Sequence, residues 1–358
     1  MVAQRALFTI TILAYLSQSI VTFAQKIPLT VGAAAMMDLA SDRLYQEFGD
    51  ALTYPDSPFD VRLMVRGEGG SDEQNFSSVR RGRMQMGGVS YGAISTVIPE
   101  LAVLNAPFLF DSYGEMDFVL ATGLEDTVNS MISEVGLVGL GQNAASWHIV
   151  YSKANPIVRP KQARGVRMRS RIDTSSILFL QALGADVIHL SATDVIPSLQ
   201  TGLIDAGETN SFVYLLNGIY SEAPHLTLTN HVPSITAFIA NERWWKNMTK
   251  AQRTMVVDAL APRNTWNAPM RADEKRLLCQ YMDRGVIIHR LSDESRAQWK
   301  AVTWPSHRTL IDEIGGRAQE LYDVVMEAKA RYKPDLIEDV NGASASLDKM
   351  PGCQQWSL

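Results

Sequence analysis

Arg164, Arg167, Arg169 and Arg171 stand close together in the chain, and an acidic-amide run, Asp205-Ala206-Gly207-Glu208-Thr209-Asn210, follows downstream. A planar guanidinium forks onto a carboxylate through two parallel hydrogen bonds, a geometry that a lysine ammonium does not reproduce. The amide of Asn210 donates and accepts at once, which suits a carboxylate oxygen or a hydroxyl. These are parts for gripping an anion rather than for breaking a bond. On residue type alone, the arginines read as a solvated basic edge, and Asn210 reads equally as a turn residue bonded to its own backbone. Catalytic alternatives find no support: the six histidines lack H-E-x-x-H spacing, and there is no G-x-S-x-G or phosphate-binding glycine loop. Two cysteines, Cys279 and Cys353, exclude a disulfide scaffold or a thiolate metal cluster and leave a single bridge open. No cofactor is expected.

The elements that must position these groups follow from periodicity and caps. Val166 to Ser170 alternates as a short strand, and Ser175 to Leu183 carries the apolar run of a helix with Gly184 at its C-terminal cap. A strand is expected at Val187 to Leu190. A second helix, capped by Ser191 or Thr193, runs through Leu199 to Gly202, and a last strand lies around Leu203 to Ala206. This β-α-β-α-β rhythm builds open, mostly parallel sheets whose ligands collect beyond the carboxyl ends of the strands. Arg169 to Arg171 and Glu208 to Asn210 would both lie past such ends, facing one cleft. Earlier in the chain, Glu73 follows a glycine pair and opens a helix expected over Asp72 to Arg81, where acidic residues favour the N-terminus. A strand from Met84 to Ser90 follows.

In this order, the motifs resemble those of TRAP transporter solute-binding receptors, the periplasmic subunits of tripartite organic-acid importers. The matching segments are Gly165-Val166-Arg167-Met168-Arg169, Gly184-Ala185, Asp194-Val195 through Leu199-Gln200-Thr201-Gly202, Asp205-Ala206-Gly207-Glu208 and Thr229-Asn230-His231. Gly69-Gly70-Ser71-Asp72-Glu73, Gly82-Arg83-Met84-Gln85-Met86-Gly87 and Pro107-Phe108-Leu109-Phe110 agree in the first half. The resemblance runs from about Leu29 to about Tyr332 and rests on the joint order of motifs. It implies an α/β, two-lobe periplasmic binding protein fold with a cleft between the lobes and a long helix crossing both.

The same resemblance implies roles. Arg169 matches the arginine that holds the ligand carboxylate, and Asn210 matches the second asparagine of a D-A-A-E-N-N turn in the sugar-acid group, where Thr209 replaces the first. Glu208 braces the arginine side or a strand end. Glu73 resembles a glutamate near the ligand and would hold a hydroxyl or ammonium group opposite Arg169. His148 stands at roughly the position of a second arginine, so a protonated imidazole there would make affinity depend on pH. A core histidine is the commoner fate. Phe212, where the family usually has a proline after the turn, is expected on the pocket wall with Tyr91 and Asn105.

The implied mechanism is binding by domain closure, with hinge segments near His148 and Val232, followed by docking on the two TRAP membrane subunits. The ligand is expected to be a small organic acid, a sugar acid or uronate being slightly favoured. An ABC-type binding protein and a receptor reporting to a sensor kinase are the alternatives; an enzyme on this scaffold would need a catalytic constellation that is not visible.

The chain ends fit export. Arg5 precedes the apolar run Ala6 to Leu16, and Thr22-Phe23-Ala24 resembles a cleavage site, so residues 1–24 read as a signal peptide. The mature protein is expected in the periplasm as a monomer. The lobes are expected to comprise residues 25–146 with 235–274, and 147–234 with 275–332, before a mobile tail, 333–358. A net charge of −5 gives no basic footprint for nucleic acid. Thr249 to Arg284 reads as the long helix, starting at a Thr cap with Gln252 three residues on and broken near Ala261 by Pro262. Arg308 to Arg331 reads as one further helix with Leu310, Ile314, Leu321 and Val325 as its buried stripe.

Overall fold

The computed structural model describes residues 26–260 and 264–333. Ten strands are found among them: β1 (Ile27–Gly32), β2 (Phe59–Met64), β3 (Met86–Ser90), β4 (Leu137–Ser152), β5 (Arg167–Ser170), β6 (Asp186–His189), β7 (Ala206–Asn210), β8 (His225–Leu228), β9 (Pro233–Asn241) and β10 (Ile287–Arg290). Their order is β2-β1-β3-β9-β4-β7-β5-β6, with β8 also on β4 and β10 on β8. The key element is β4. Its first part pairs antiparallel with β9 as far as Trp147–Pro233, and from His148 onward it pairs with β7. One strand thus belongs to both lobes.

Alternation along these strands divides the cores. On β4, Ile149 and Tyr151 pack into one apolar cluster while Val150 packs into another on the opposite face. On β9, Ile235, Ala237 and Ile239 face one side and Phe238 and Ala240 the other. A pleated strand covered on both faces requires this division, because successive side chains point to opposite sides. Each lobe therefore has helices on both faces of its sheet, the arrangement expected from the sequence.

The helix expected over Ser175 to Leu183 is Thr174–Ala182, with Asp173 accepting from the Ser176 N–H as its N-cap and Gly184 at φ 71° past its end. The expected Thr249 cap forms a capping box with Gln252 at the start of Lys250–Ala259, and a second helix spans Asn264–Met282. The expected break near Ala261 falls at residues 261–263, which lie outside the described residues. Two boundaries differ. The expected helix from Arg308 to Arg331 is two helices, Ser306–Ile314 and Ala318–Arg331, because Gly315 and Gly316 both take positive φ. The strand expected around Leu203 to Ala206 begins at Ala206 and runs to Asn210. What reads as an acidic-amide turn is therefore a strand, with Glu208 in its middle.

Cys279, on the helix Asn264–Met282, is disulfide-bonded; Cys353, the expected signal peptide and residues 334–358 of the expected tail lie outside the described residues. No helix among the described residues is long and apolar enough to cross a membrane.

Candidate functional site

A cavity of about 270 Å³ lies between the lobes. Ala33, Ala34 and Ala35 after β1, with Tyr45, give it a first-lobe wall; Asn210, Phe212 and Val213 give the second; Trp266, Met270 and Asp273 of the helix Asn264–Met282 complete it. Its polar floor follows from strand register. Ser90 on β3 pairs with Thr236 on β9, which pairs with Asn143 on β4, so three polar residues form one row across adjacent strands. A second row sets Ser234 beside Ser146, whose hydroxyl accepts from the Asn210 amide. Asp72, at the start of the helix Asp72–Arg80, accepts the Ser90 N–H at 2.9 Å and the Ser90 hydroxyl. Burial pushes the Asp72 carboxyl above its ordinary value, and the Ser90 bonds oppose this.

Behind the cavity lies a charged network centred on Glu208, which is fully buried. Its carboxylate is 3.0 Å from both His148 Nδ1 and Arg171 Nε, 3.7 Å from His231 Nε2, and accepts from the Ser176 hydroxyl. Arg171 also donates to His148 Nε2 at 3.3 Å. An imidazole that accepts from a guanidinium on one nitrogen and donates to a carboxylate from the other is neutral. Although burial alone would raise the Glu208 pKa, Arg171 and the two histidines together hold it well below the usual range. Burial first, then the Arg171 charge, lowers His148 to about 4 against the pull of Glu208. Burial lowers His231 as well.

A buried neutral histidine resists acid until protonation wins. The unfolded chain binds a proton near 6.5, whereas folded His148 does so only near 4, as does His307 on the helix Ser306–Ile314, which burial lowers likewise. Their stabilisation is therefore complete above 6.5 and is lost as pH falls from 6.5 towards 4, by up to about 1.4 kcal/mol per pH unit for each group. Thermal unfolding followed across pH 4–8 should show a plateau above 6.5 and a falling melting temperature below it. A level profile down to pH 4.5 would remove the buried-neutral assignment.

The structure gathers some of the expected site residues and separates others. Asn210 and Phe212 line the cavity. Asn210 is also the N-cap of the helix Ser211–Leu216, accepting the Phe212 N–H at 2.8 Å, so its cavity position and its turn role coexist. Arg169, 5% exposed, stands on β5 beside Gly207 of β7: its Nε–H donates to the Leu190 carbonyl at 3.1 Å and its Nη1 to the Glu208 carbonyl at 3.3 Å. Glu208 and His148 turn into the network behind the cavity. Glu73 is exposed at its helix start and accepts from the Ser71 hydroxyl; its neighbour Asp72 is the residue that reaches the cavity. Tyr91 is fully buried and donates to Gln142 on the far side of β4, and Asn105 is buried with its carbonyl accepting from Ser175. Neither lines the cavity.

Sequence reasoning did not single out Asp72, Asn143, Tyr45, Trp266 or Met270 for the cavity. One signal was available: Asn143 directly precedes a run of small residues, Ala144-Ala145-Ser146, within a strand, where a polar amide needs a reason.

The chain is similar to known proteins in sequence and in fold. Residues 56–313 match the family model described as bacterial extracellular solute-binding protein, family 7. The chain is 25% identical over 270 residues to the C4-dicarboxylate-binding periplasmic protein DctP of Rhodobacter capsulatus, covering 73% of this chain and 79% of that one. It is 24% identical over 284 residues to the ectoine-binding periplasmic protein TeaA of Halomonas elongata, covering 77% and 80%. Among solved structures, it superimposes on the sugar acid binding protein DctPAm of Advenella mimigardefordensis in complex with galactonate. The TM-score is 0.76 at 22% identity, covering 85% of this chain and 99% of that one.

Proposed function

The chain belongs to the family-7 bacterial extracellular solute-binding proteins, the periplasmic receptors of TRAP transporters, and we propose that it captures a small organic acid by its carboxylate and delivers it to the membrane subunits. Members of the family bind solutes rather than catalyse reactions. One observation carries the carboxylate reading. Arg169 is a buried guanidinium whose protein partners are two backbone carbonyls; among the described residues it has no acidic partner and its Nη2 makes no hydrogen bond. Its neighbours differ, since Arg167 pairs with Asp205 at 2.7 Å and Arg171 with Glu208. A buried charge left without a counter-ion is costly, and a solute carboxylate would supply one.

Arg169 is not on the cavity wall, so the reading requires that its free edge meet the solute as the lobes move against each other. We place the lobes at residues 25–146 with 235–274 and 147–234 with 275–332, the divide falling where β4 changes partners. Residues 1–24 are the proposed export signal. The relatives are described as binding a C4-dicarboxylate, ectoine and galactonate, and each of these solutes bears a carboxylate.

The test is a thermal-shift screen of the purified mature protein against organic acids, since a ligand of the folded state stabilises by RT ln(1 + [L]/Kd). A rise with one class of acid supports the receptor reading, and no rise with any carboxylate removes it, provided that the protein has first been unfolded and refolded to strip a resident solute.

Asn210→Ala separates the two jobs of that side chain. Affinity for the acid found by the screen is expected to fall by about 1–3 kcal/mol from the lost hydrogen bond. Loss of the helix cap should also cost about 0.5–2 kcal/mol of stability. Calorimetric titration that shows wild-type affinity in a destabilised variant would leave Asn210 as a cap alone.

A further inference from the structure

We propose that the first-lobe end of the cavity is a subsite for a cationic nitrogen bearing N–H donors, so that the solute is a zwitterion with its ammonium or amidinium group between Asp72 and Asn143. This rests on the reading above, in which Arg169 takes the carboxylate at the other end.

The charged side chains lining the cavity are Asp72 and Asp273; no arginine, lysine or histidine is among the described lining residues. The two carboxylates differ in what they have left to offer. Asp273 is satisfied, accepting the Ala40 N–H at 2.5 Å and an Arg276 N–H at 2.8 Å, with Arg43 at 3.7 Å. Asp72 has Ser90 on one oxygen only, and no cation pairs with it among the described residues. A carboxylate withdrawn from water with one oxygen unbonded favours a cationic donor, which neutralises and bonds it together.

Asn143 supplies an independent observation. It is 3% exposed, its Nδ2 rests against the Met270 sulfur at 3.6 Å, and its Oδ1 has no hydrogen-bond partner. A buried carbonyl oxygen without a donor costs about 1–3 kcal/mol, and native structures rarely leave one so. The residue that carries it lines the cavity. Both orphan acceptors therefore ask for donors, and the register brings them to one place. Asp72 is tied to Ser90, and Ser90, Thr236 and Asn143 form the row across β3, β9 and β4. Two strand spacings, roughly 10 Å between backbones, separate the ends of that row. Side chains rising from both ends into one cavity can close on a single small group above Thr236. The Tyr45 and Trp266 rings, 5.2 Å apart and both on the wall, give that group an aromatic surround that tolerates positive charge. Sugar hydroxyls could donate to the same acceptors but would leave the Asp72 charge uncompensated.

The test titrates the refolded mature protein, as wild type and as Asp72→Asn, with β-alanine, 4-aminobutyrate, 5-aminopentanoate and ectoine, and with butyrate, succinate, glutarate and glucuronate. Asparagine keeps an oxygen for Ser90, so the variant should fold. Zwitterions are expected to bind the wild type more tightly than the nitrogen-free acids, and Asp72→Asn to weaken them by at least about 30-fold. Asn143→Ala should weaken them by about 5- to 10-fold. If nitrogen-free acids bind the wild type and Asp72→Asn alike while zwitterions do not, the cationic subsite falls and the receptor reading stands. Zwitterion binding that is indifferent to Asp72→Asn overturns the subsite as well. If neither set binds, both readings fall.

Discussion

Arg169→Ala is expected to weaken binding of a carboxylate solute by roughly 30- to 1,000-fold, the loss that follows from deleting one partner of a buried, hydrogen-bonded charge pair. The magnitude comes from burial. Arg169 is 5% exposed, so water cannot replace the guanidinium once it is gone, and the solute carboxylate would enter a cleft with no counter-charge. Arg169→Lys should recover only part of the loss, because a point charge on a flexible stem cannot make the paired bonds of a planar fork. The fold should survive either change: the protein loses only the donors to the Leu190 and Glu208 carbonyls, at about 1 kcal/mol each. Titration of the refolded variant with the acid identified by thermal shift decides the matter. Wild-type affinity in Arg169→Ala would make Arg169 a strand-end brace and end the carboxylate assignment.

The largest effect on stability is expected at Glu208. Glu208→Ala removes the one carboxylate that Arg171, His148 and His231 share, and the Ser176 hydroxyl loses its acceptor. Among the described residues Arg171 then keeps Asp173 alone, at 3.2 Å, as a counter-ion. Breaking a buried ion pair by deleting one partner costs about 3–5 kcal/mol, which for a chain of this size corresponds to a drop of roughly 4–8 °C in melting temperature. Glu208→Gln, of similar shape but uncharged, should fall between wild type and alanine. The contribution should be insensitive to mild acid. Because the Glu208 pKa is held well below its ordinary 4.5, its stabilisation is complete above that value and fades only below it. The histidines beside it titrate earlier, so acid unfolding should begin with them. A Glu208→Ala variant melting within 2 °C of wild type at pH 7 would show that the network is dispensable.

Much of the fold can be read from local chemistry. Asp72–Arg80, Thr174–Ala182 and Lys250–Ala259 begin at oxygen-bearing caps, and Gly184 and Gly202 end helices at positive φ. The boundaries that escaped depend on tertiary context. Ala206-Gly207-Glu208-Thr209-Asn210 has the composition of a turn, yet it forms β7 between β4 and β5. Gly207 is required there by proximity rather than flexibility, since a Cβ would stand 2.3 Å from the Tyr151 hydroxyl. No local pattern announces such a neighbour. The break at Gly315-Gly316, by contrast, had a local signal, the glycine pair itself, which the reading of Arg308 to Arg331 as one helix passed over.

The candidate site was legible on one side only. Asn210 and Phe212, which line the cavity, were read from one β-α-β stretch, where order along the chain carries their relation to Arg169. The first-lobe wall is assembled from β1, β3, β4, β9 and three helices, and its members meet through register. Asp72 rather than its neighbour Glu73 reaches the cavity because the cap at Ser71 fixes which side of the first turn faces β3. That choice is one of helix phase, which residue type does not reveal.

The passage of β4 through both lobes has a mechanical consequence. The helix Asn264–Met282 runs beside it and fastens to it repeatedly: Asn267 accepts the Ala144 N–H, Arg271 donates to the Ala144 carbonyl, and Glu274 reaches the Trp147 N–H and the Ser211 hydroxyl. Two continuous rods stitched together behave as a leaf spring rather than a pivot. The register of β4 against β9 shifts between Gly139 and Gly141 and between Ala144 and Ser146, so compliance concentrates where the ladder is already irregular. Closure against such a spring would meet a restoring force proportional to its deflection, and a solute of the wrong length would leave it under tension. Length discrimination would then reside partly in the backbone, at a distance from every side chain that touches the solute.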